Sequence, residues 1–200
     1  MGNNDTNFKT PSRFIEHSKE VAGNVEAVYD RLGLPAQEGW LAGLFHDIGR
    51  CFAKDPKGHT FHEIGSGRII ERDGVELKLS PDQAICDRLA QSVRSHFLVA
   101  EQFRLPEYAE WLPGFRDVNP ALLTPTSWQE FAVVYGDMTA SGKDRPYTFT
   151  ERISSIKDKD GKAGSSRLVV VEQAEGRLYG VERMVLKAME TKNLTGLNTL

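Results

Sequence analysis

Leu41-Ala42-Gly43-Leu44-Phe45-His46-Asp47-Ile48-Gly49-Arg50 is the stretch on which the reading of the fold turns. Five apolar or small residues lead into a His-Asp doublet. If Trp40, Leu41, Leu44 and Ile48 face inward on one helix and Gly49 ends it, the doublet sits in the last turn. Ala42 and Gly43 are small enough to let another helix approach closely. An imidazole beside a hard carboxylate suits iron, manganese, zinc or magnesium rather than copper(I). Neighbouring helical residues diverge, however, so an ion held by His46 and Asp47 needs further ligands from other helices.

Upstream, Thr10-Pro11 supplies an N-cap and a proline at the first helical position. Phe14, His17, Val21, Val25, Val28 and Leu32 then recur at steps of three and four, until Gly33 and Pro35 end the helix. His17 therefore lies on an inward stripe. Downstream, residues 62–72 make a short helix weakened by Gly65 and Gly67. Ser80-Pro81-Asp82-Gln83 has the form of a capping box, opening a helix whose stripe of Ile85, Leu89, Val93 and His96 points inward. Prolines at 106, 113, 120 and 125 forbid a long helix over residues 105–126. Trp111, Leu112, Phe115 and Leu122 make that stretch a packed insert rather than a free linker.

Ser127 and Glu130 form a second capping box, and the following Phe131, Val134, Tyr135 and Met138 put Asp137 on or beside a buried face, with Gly142 as the stop. After a charged loop over residues 158–166, Leu168, Val171, Ala174, Leu178, Val181, Val185 and Ala188 repeat almost as a heptad. They predict a long C-terminal helix, and their stripe could serve a dimer as readily as a core. The expectation is all-α: one helical bundle over residues 10–190, with loosely ordered ends at 1–9 and 191–200 and its site-bearing core at about residues 10–145.

Two hundred residues of ordinary apolar content suffice for a buried core. The formal net charge of -3, with Lys and Arg scattered, lacks the footprint of a nucleic-acid binder. Two cysteines, Cys51 and Cys86, give neither a disulfide scaffold nor a zinc ribbon and read as free core thiols. No apolar run approaches the length of a membrane span, so the expected setting is the cytoplasm.

Three segments together resemble the HD-domain superfamily of metal-dependent phosphohydrolases. They are Phe14-Ile15-Glu16-His17-Ser18 with Val21-Ala22, the stretch Leu41 to Arg50, and Val134-Tyr135-Gly136-Asp137-Met138. The resemblance implies that His17, His46, Asp47 and Asp137 ligate one divalent ion, with His46 and Asp47 at the catalytic centre. His62-Glu63-Ile64-Gly65-Ser66-Gly67-Arg68-Ile69-Ile70 and Val93-Arg94-Ser95-His96 further resemble the binuclear branch. They imply a second ion on His62 and His96, bridged by Asp47.

Phe97 stands where several branches have a second histidine. The glycine-tyrosine-proline signature of cyclic-dinucleotide phosphodiesterases is absent, and Arg50 stands near where mononuclear members often keep an acid. The native metal, among Fe, Mn, Mg, Ni and Zn, is left open.

The implied activity is cleavage of a phosphate ester or anhydride of a nucleotide or similar phosphorylated metabolite by metal-activated water. Arg50, Arg94, Lys143 and Arg145 are the expected cations for the substrate's phosphate. Glu63 reads as an exposed helical residue, and His59 as a surface residue held in reserve as a ligand. Some proteins with the same His and Asp order are mixed-valence di-iron oxygenases, which is the first alternative. A sensor that binds ligand without turnover is the second.

Overall fold

The computed structural model describes residues 11–51, 61–106, 115, 117–141, 145–160, 166–192 and 194. Helix α1 spans Pro11–Leu32 and buries Ser18, Val21, Ala22, Val25, Val28, Tyr29 and Leu32, so the expected stripe is buried from Val21 onward while Phe14 and His17 are half-buried. Gly33 at φ 69 turns the chain out of it. Helix α2, Ala36–Phe45, runs against α1 and buries Gly39, Ala42 and Gly43. A Cβ at Gly43 would lie 2.6 Å from the Ala22 Cα, so only glycine permits this approach. The same contact fixes the rotation of α2 and corrects one expectation. Its buried face is the small-residue face, and Trp40 is turned outward, 36% exposed.

Helix α2 also stops earlier than the sequence suggested. His46 caps it and Asp47 follows in a turn, before a 3-10 turn over Ile48–Cys51. Helix α3, His62–Asp73, packs on that turn and on α4, Gln83–Arg94. The cap of α4 is Asp82, whose side chain accepts a hydrogen bond from the Ala84 amide, and not Ser80. Ser80 instead accepts from the Asp82 amide and shapes the turn leading into the helix.

A single turn of helix, α5 (Val99–Gln102), and a 3-10 turn at Pro120–Leu123 precede α6, Trp128–Thr139. The Ser127–Glu130 capping box at the start of α6 is present as expected. Helix α7, Phe149–Asp160, has no counterpart in the sequence reading, which also extended a loop over its last three residues. Phe149, Ile153 and Ile156 anchor it in the core.

Helix α8, Ser166–Thr191, closes the described structure. Among the described residues there is no strand, and the fold is all-α. The main core joins Val21, Val25 and Val28 of α1 with Phe131 and Val134 of α6 and with Val171, Ala174, Leu178, Val181, Val185 and Ala188 of α8. From Val171 onward the near-heptad stripe is thus buried within one chain, and Leu168 at its start is half-buried.

A smaller core of Phe61, Ile64, Val99, Ala100 and Leu123 receives Phe115, whose ring meets Phe61 edge-on at 5.0 Å between centroids. Of the expected insert, Phe115 and Leu123 are thus packed. Trp111, Leu112 and the stop at Gly142 lie outside the described residues, and Leu122 is exposed. Cys86 is buried, but Cys51, in the 3-10 turn, is exposed and is no core thiol. Among the described residues no helix is long and apolar enough to cross a membrane.

Candidate metal centre

Six side chains from five separate segments meet beneath the α2 end. His17 comes from the first half of α1, and its Nε2 lies 3.3 Å from Oδ1 of Asp137 on α6. The joint between these helices sets that distance. A Cβ at Gly136 would fall 2.4 Å from Cγ2 of Val25, and Asn24 donates from Nδ2 to the Gly136 carbonyl and to Thr139 Oγ1, 3.2 Å each. His46 Nε2 lies 3.6 Å from Asp47 Oδ2 and 3.8 Å from Asp137 Oδ1.

His62 and His96 complete the group around Asp47, with Nε2 atoms 2.9 and 3.7 Å from its Oδ1. His62 is placed by backbone contact. A Cβ at Gly49 would be 2.2 Å from the His62 carbonyl oxygen, and Ser66 Oγ accepts from the Gly49 amide while donating to that carbonyl.

The imidazoles are presented in a useful orientation. His46 donates from Nδ1 to the Gly43 carbonyl at 2.7 Å, and His96 donates from Nδ1 to the Val93 carbonyl. A carbonyl oxygen only accepts, so the proton must sit on Nδ1, and in the neutral ring the Nε2 lone pair faces the cluster. Three overlapping sets, His17/His46/Asp47, His46/His96/Asp137 and Asp47/His62/His96, each have donor atoms within 4.8 Å of one another. Such a geometry could hold metal.

Burial and charge act in opposite senses here. Burial pushes the Asp47 carboxyl up, but Arg50, His46 and His62 outweigh it and hold the group well below the ordinary range. Asp137 behaves alike, with the His17 hydrogen bond foremost against its burial. Both remain carboxylates. Burial lowers His46 to about 4 despite the charges of Asp47 and Asp137, so its ring is neutral at neutral pH. At His96 the same desolvation is overcome by Asp47, with Glu63 and Asp137 helping, and the pKa is raised.

Among the expected phosphate cations, Arg50 is beside the cluster, donating from Nε to Asp47 Oδ2 at 2.6 Å. Arg94 is not at the mouth. Its guanidinium is drawn to Glu71 at 2.6 Å, in a groove shared with Arg68 and Asp117. Arg145 is also held elsewhere, paired with Glu151 at the exposed start of α7. Lys143 and His59 lie outside the described residues.

Sequence reasoning missed Arg152, whose Nη2 lies 3.8 Å from Asp137 Oδ1. The signal was the Phe149, Ile153 and Ile156 spacing. Reading it as helix would have brought Arg152 inward alongside its neighbours. Glu63 is not exposed either: it is buried, with Oε2 3.3 Å from His62 Nδ1.

A family model described as the HD domain matches residues 14–113, half of the chain. No curated protein and no solved structure matches it. The matched stretch holds His17, the His46-Asp47 doublet, His62 and His96, while Asp137 and Arg152 follow it. With the all-helical architecture and the clustered donors, this match establishes that the chain belongs to the HD-domain family.

Proposed function

We propose that the protein is a metal-dependent phosphohydrolase in which His17, His46, Asp47 and Asp137 hold one divalent ion and Asp47, His62 and His96 a second. The observation that carries this reading is the set of buried, unsatisfied donors at the centre. His46 Nε2, Asp47 Oδ1 and His62 Nε2 are buried and converge; the last two lie 2.9 Å apart, yet none of the three makes a well-directed hydrogen bond among the described residues. Unpartnered buried polar atoms are costly, and a cation between them would satisfy all three. HD-domain membership supports metal-dependent, hydrolase-type chemistry in general.

Divalent ions held there would supply Lewis acidity and an acidified water at neutral pH. The chain's own groups do the rest. The carbonyls of Gly43 and Val93 orient the His46 and His96 rings. Asp47, reached by both sets of donors, ties the two halves of the centre together. Arg50 and Arg152 offer positive charge at the rim to the oxygens of a phosphate ester or anhydride.

The side of approach follows from exposure. The side chains of His17, Arg152 and Arg50 keep 17, 19 and 36% exposure, whereas those of His46, His96 and Asp47 keep at most 2%. A nucleotide or similar phosphorylated metabolite in the cytoplasm is the substrate class proposed.

The test is a phosphate-release screen over nucleotides and phosphorylated metabolites, without oxygen, in Mn2+ or Mg2+. Release that stops with a chelator and in Asp47→Ala is the expected result. Absence of release, together with turnover that needs iron and dioxygen, would replace hydrolysis by oxygenation.

A further inference from the structure

Helix α8 lies beyond the stretch matched by the HD family, yet one of its side chains grips the turn that carries His96. Arg177 donates from Nε to Glu101 Oε1 and from Nη2 to Glu101 Oε2, both at 2.8 Å. The same Nη2 donates to the Phe97 carbonyl at 2.5 Å. This fork is largely removed from solvent, with side-chain exposures of 14% for Arg177 and 8% for Glu101. Burying such a charge pair costs desolvation, which the two-armed geometry and the further bond to the Phe97 carbonyl offset.

What it grips is strained. Phe97 stands at φ 59, the left-handed region, where the side chain of any residue but glycine crowds the backbone. Lys78 and Lys192 also have positive φ, but both are exposed turn residues, and neither adjoins the donor cluster. Phe97 immediately follows His96 in the connection between α4 and α5. On the other side of His96, Ser95 donates to Glu130 Oε1 of α6 at 2.9 Å. The His96 turn is therefore held from α6 before the histidine and from α8 after it.

We propose that Arg177 is a positioning residue for His96: by joining the Phe97 carbonyl to Glu101 it keeps residue 97 left-handed and so aims the imidazole at Asp47. The inference rests on the proposed function only where it speaks of a second ion. A fork that merely fastened α8 to α5 would stabilise the fold without depending on the conformation at 97. The two roles separate because glycine adopts positive φ at no steric cost.

The experiment compares wild type, Arg177→Met, Phe97→Gly and the double variant, by Co2+ titration and by NMR of the His96 ring nitrogens in metal-free protein. In Arg177→Met, second-ion affinity should fall by about tenfold or more, as for other groups that orient a ligand, with the first ion bound as before. The His96 ring signals should lose their single wild-type position. Both should recover in the double variant. Unchanged Co2+ binding and ring signals in Arg177→Met, or losses that Phe97→Gly does not restore, would overturn the proposal.

If Arg177→Met does not fold, Arg177→Lys takes its place. It keeps the charge but not the two-armed reach, so a smaller loss with the same recovery is expected. If wild type binds no Co2+ while the ring signals still follow this pattern, the metal reading fails and the positioning role stands.

Discussion

His17 and Asp137 sit inside helices, α1 and α6, whereas His62 opens α3 and His96 lies in the turn after α4. The first side of the centre is fixed by backbones pressed together at glycines, Gly43 on Ala22 and Gly136 on Val25. The second side depends on more local devices: Ser66 bridging Gly49 and His62, Glu130 on Ser95, and Arg177 on Phe97. A residue inside a packed helix inherits its direction from the whole element. A residue at a helix end must be held individually.

The largest effect should come from breaking the glycine joint. Gly43→Val puts atoms into the Ala22 backbone, which cannot yield as a side-chain tip would, and should cost about 3 kcal/mol of unfolding free energy in urea. A change within about 0.5 kcal/mol would show that the first side is not so tightly built.

Next, Asp47→Ala should remove all bound metal, because both sides use Asp47. His62→Ala should lower the stoichiometry only from about two ions to one. Elemental analysis of the two variants, with helical circular dichroism unchanged, measures this. Equal loss in both would erase the distinction between the sides.

Arg152→Gln should come third, raising KM for a phosphorylated substrate about tenfold with little change in kcat, since it removes a rim charge rather than a ligand. A fall in kcat at constant KM would move Arg152 from binding to chemistry.

The last test is in pH, measured on metal-free protein. Burial lowers His46 to about 4 from an ordinary 6.5, so its contribution to stability is full above 6.5 and is lost as pH falls from there toward 4. His96 is raised, with Asp47 and nearby acids prevailing over its desolvation. Its contribution is full below 6.5 and is lost as pH rises through the raised value. NMR titration of the two rings should show His96 taking its proton well before His46. The reverse order would contradict the buried, unprotonated state assigned to His46.

The same contrast explains what could be read from the sequence. The repeats of Val21, Val25, Val28 and of Leu178, Val181, Val185 announced α1 and α8, because long amphipathic elements state their period several times over. All six expected donors come together, His17, His96 and Asp137 through apolar periods and the others through spacing that resembles the HD pattern. Shorter signals failed. Three apolar residues in α7 were too few to outweigh the charges around them, and Arg152 was lost with that helix.

Arg94 and Arg145 were misplaced because a cation goes to whichever carboxylate is nearest in space, Glu71 and Glu151 here, and sequence does not display that distance. Trp40 was turned outward by a contact of Gly43, a residue with no side chain to advertise it. Glu63 was read as solvated because glutamate is usually exposed.

The order of synthesis adds a constraint on how the centre matures. His17, made early, cannot meet Asp137 until α6 has left the ribosome, and the Phe97 turn stays unbraced until α8 follows it. A growing chain therefore carries loose histidines and acids but no preformed pocket for an ion. An ion held as proposed would thus be bound only once α6 has emerged, and a chain truncated before α8 would lack the Arg177 contacts to Phe97 and Glu101.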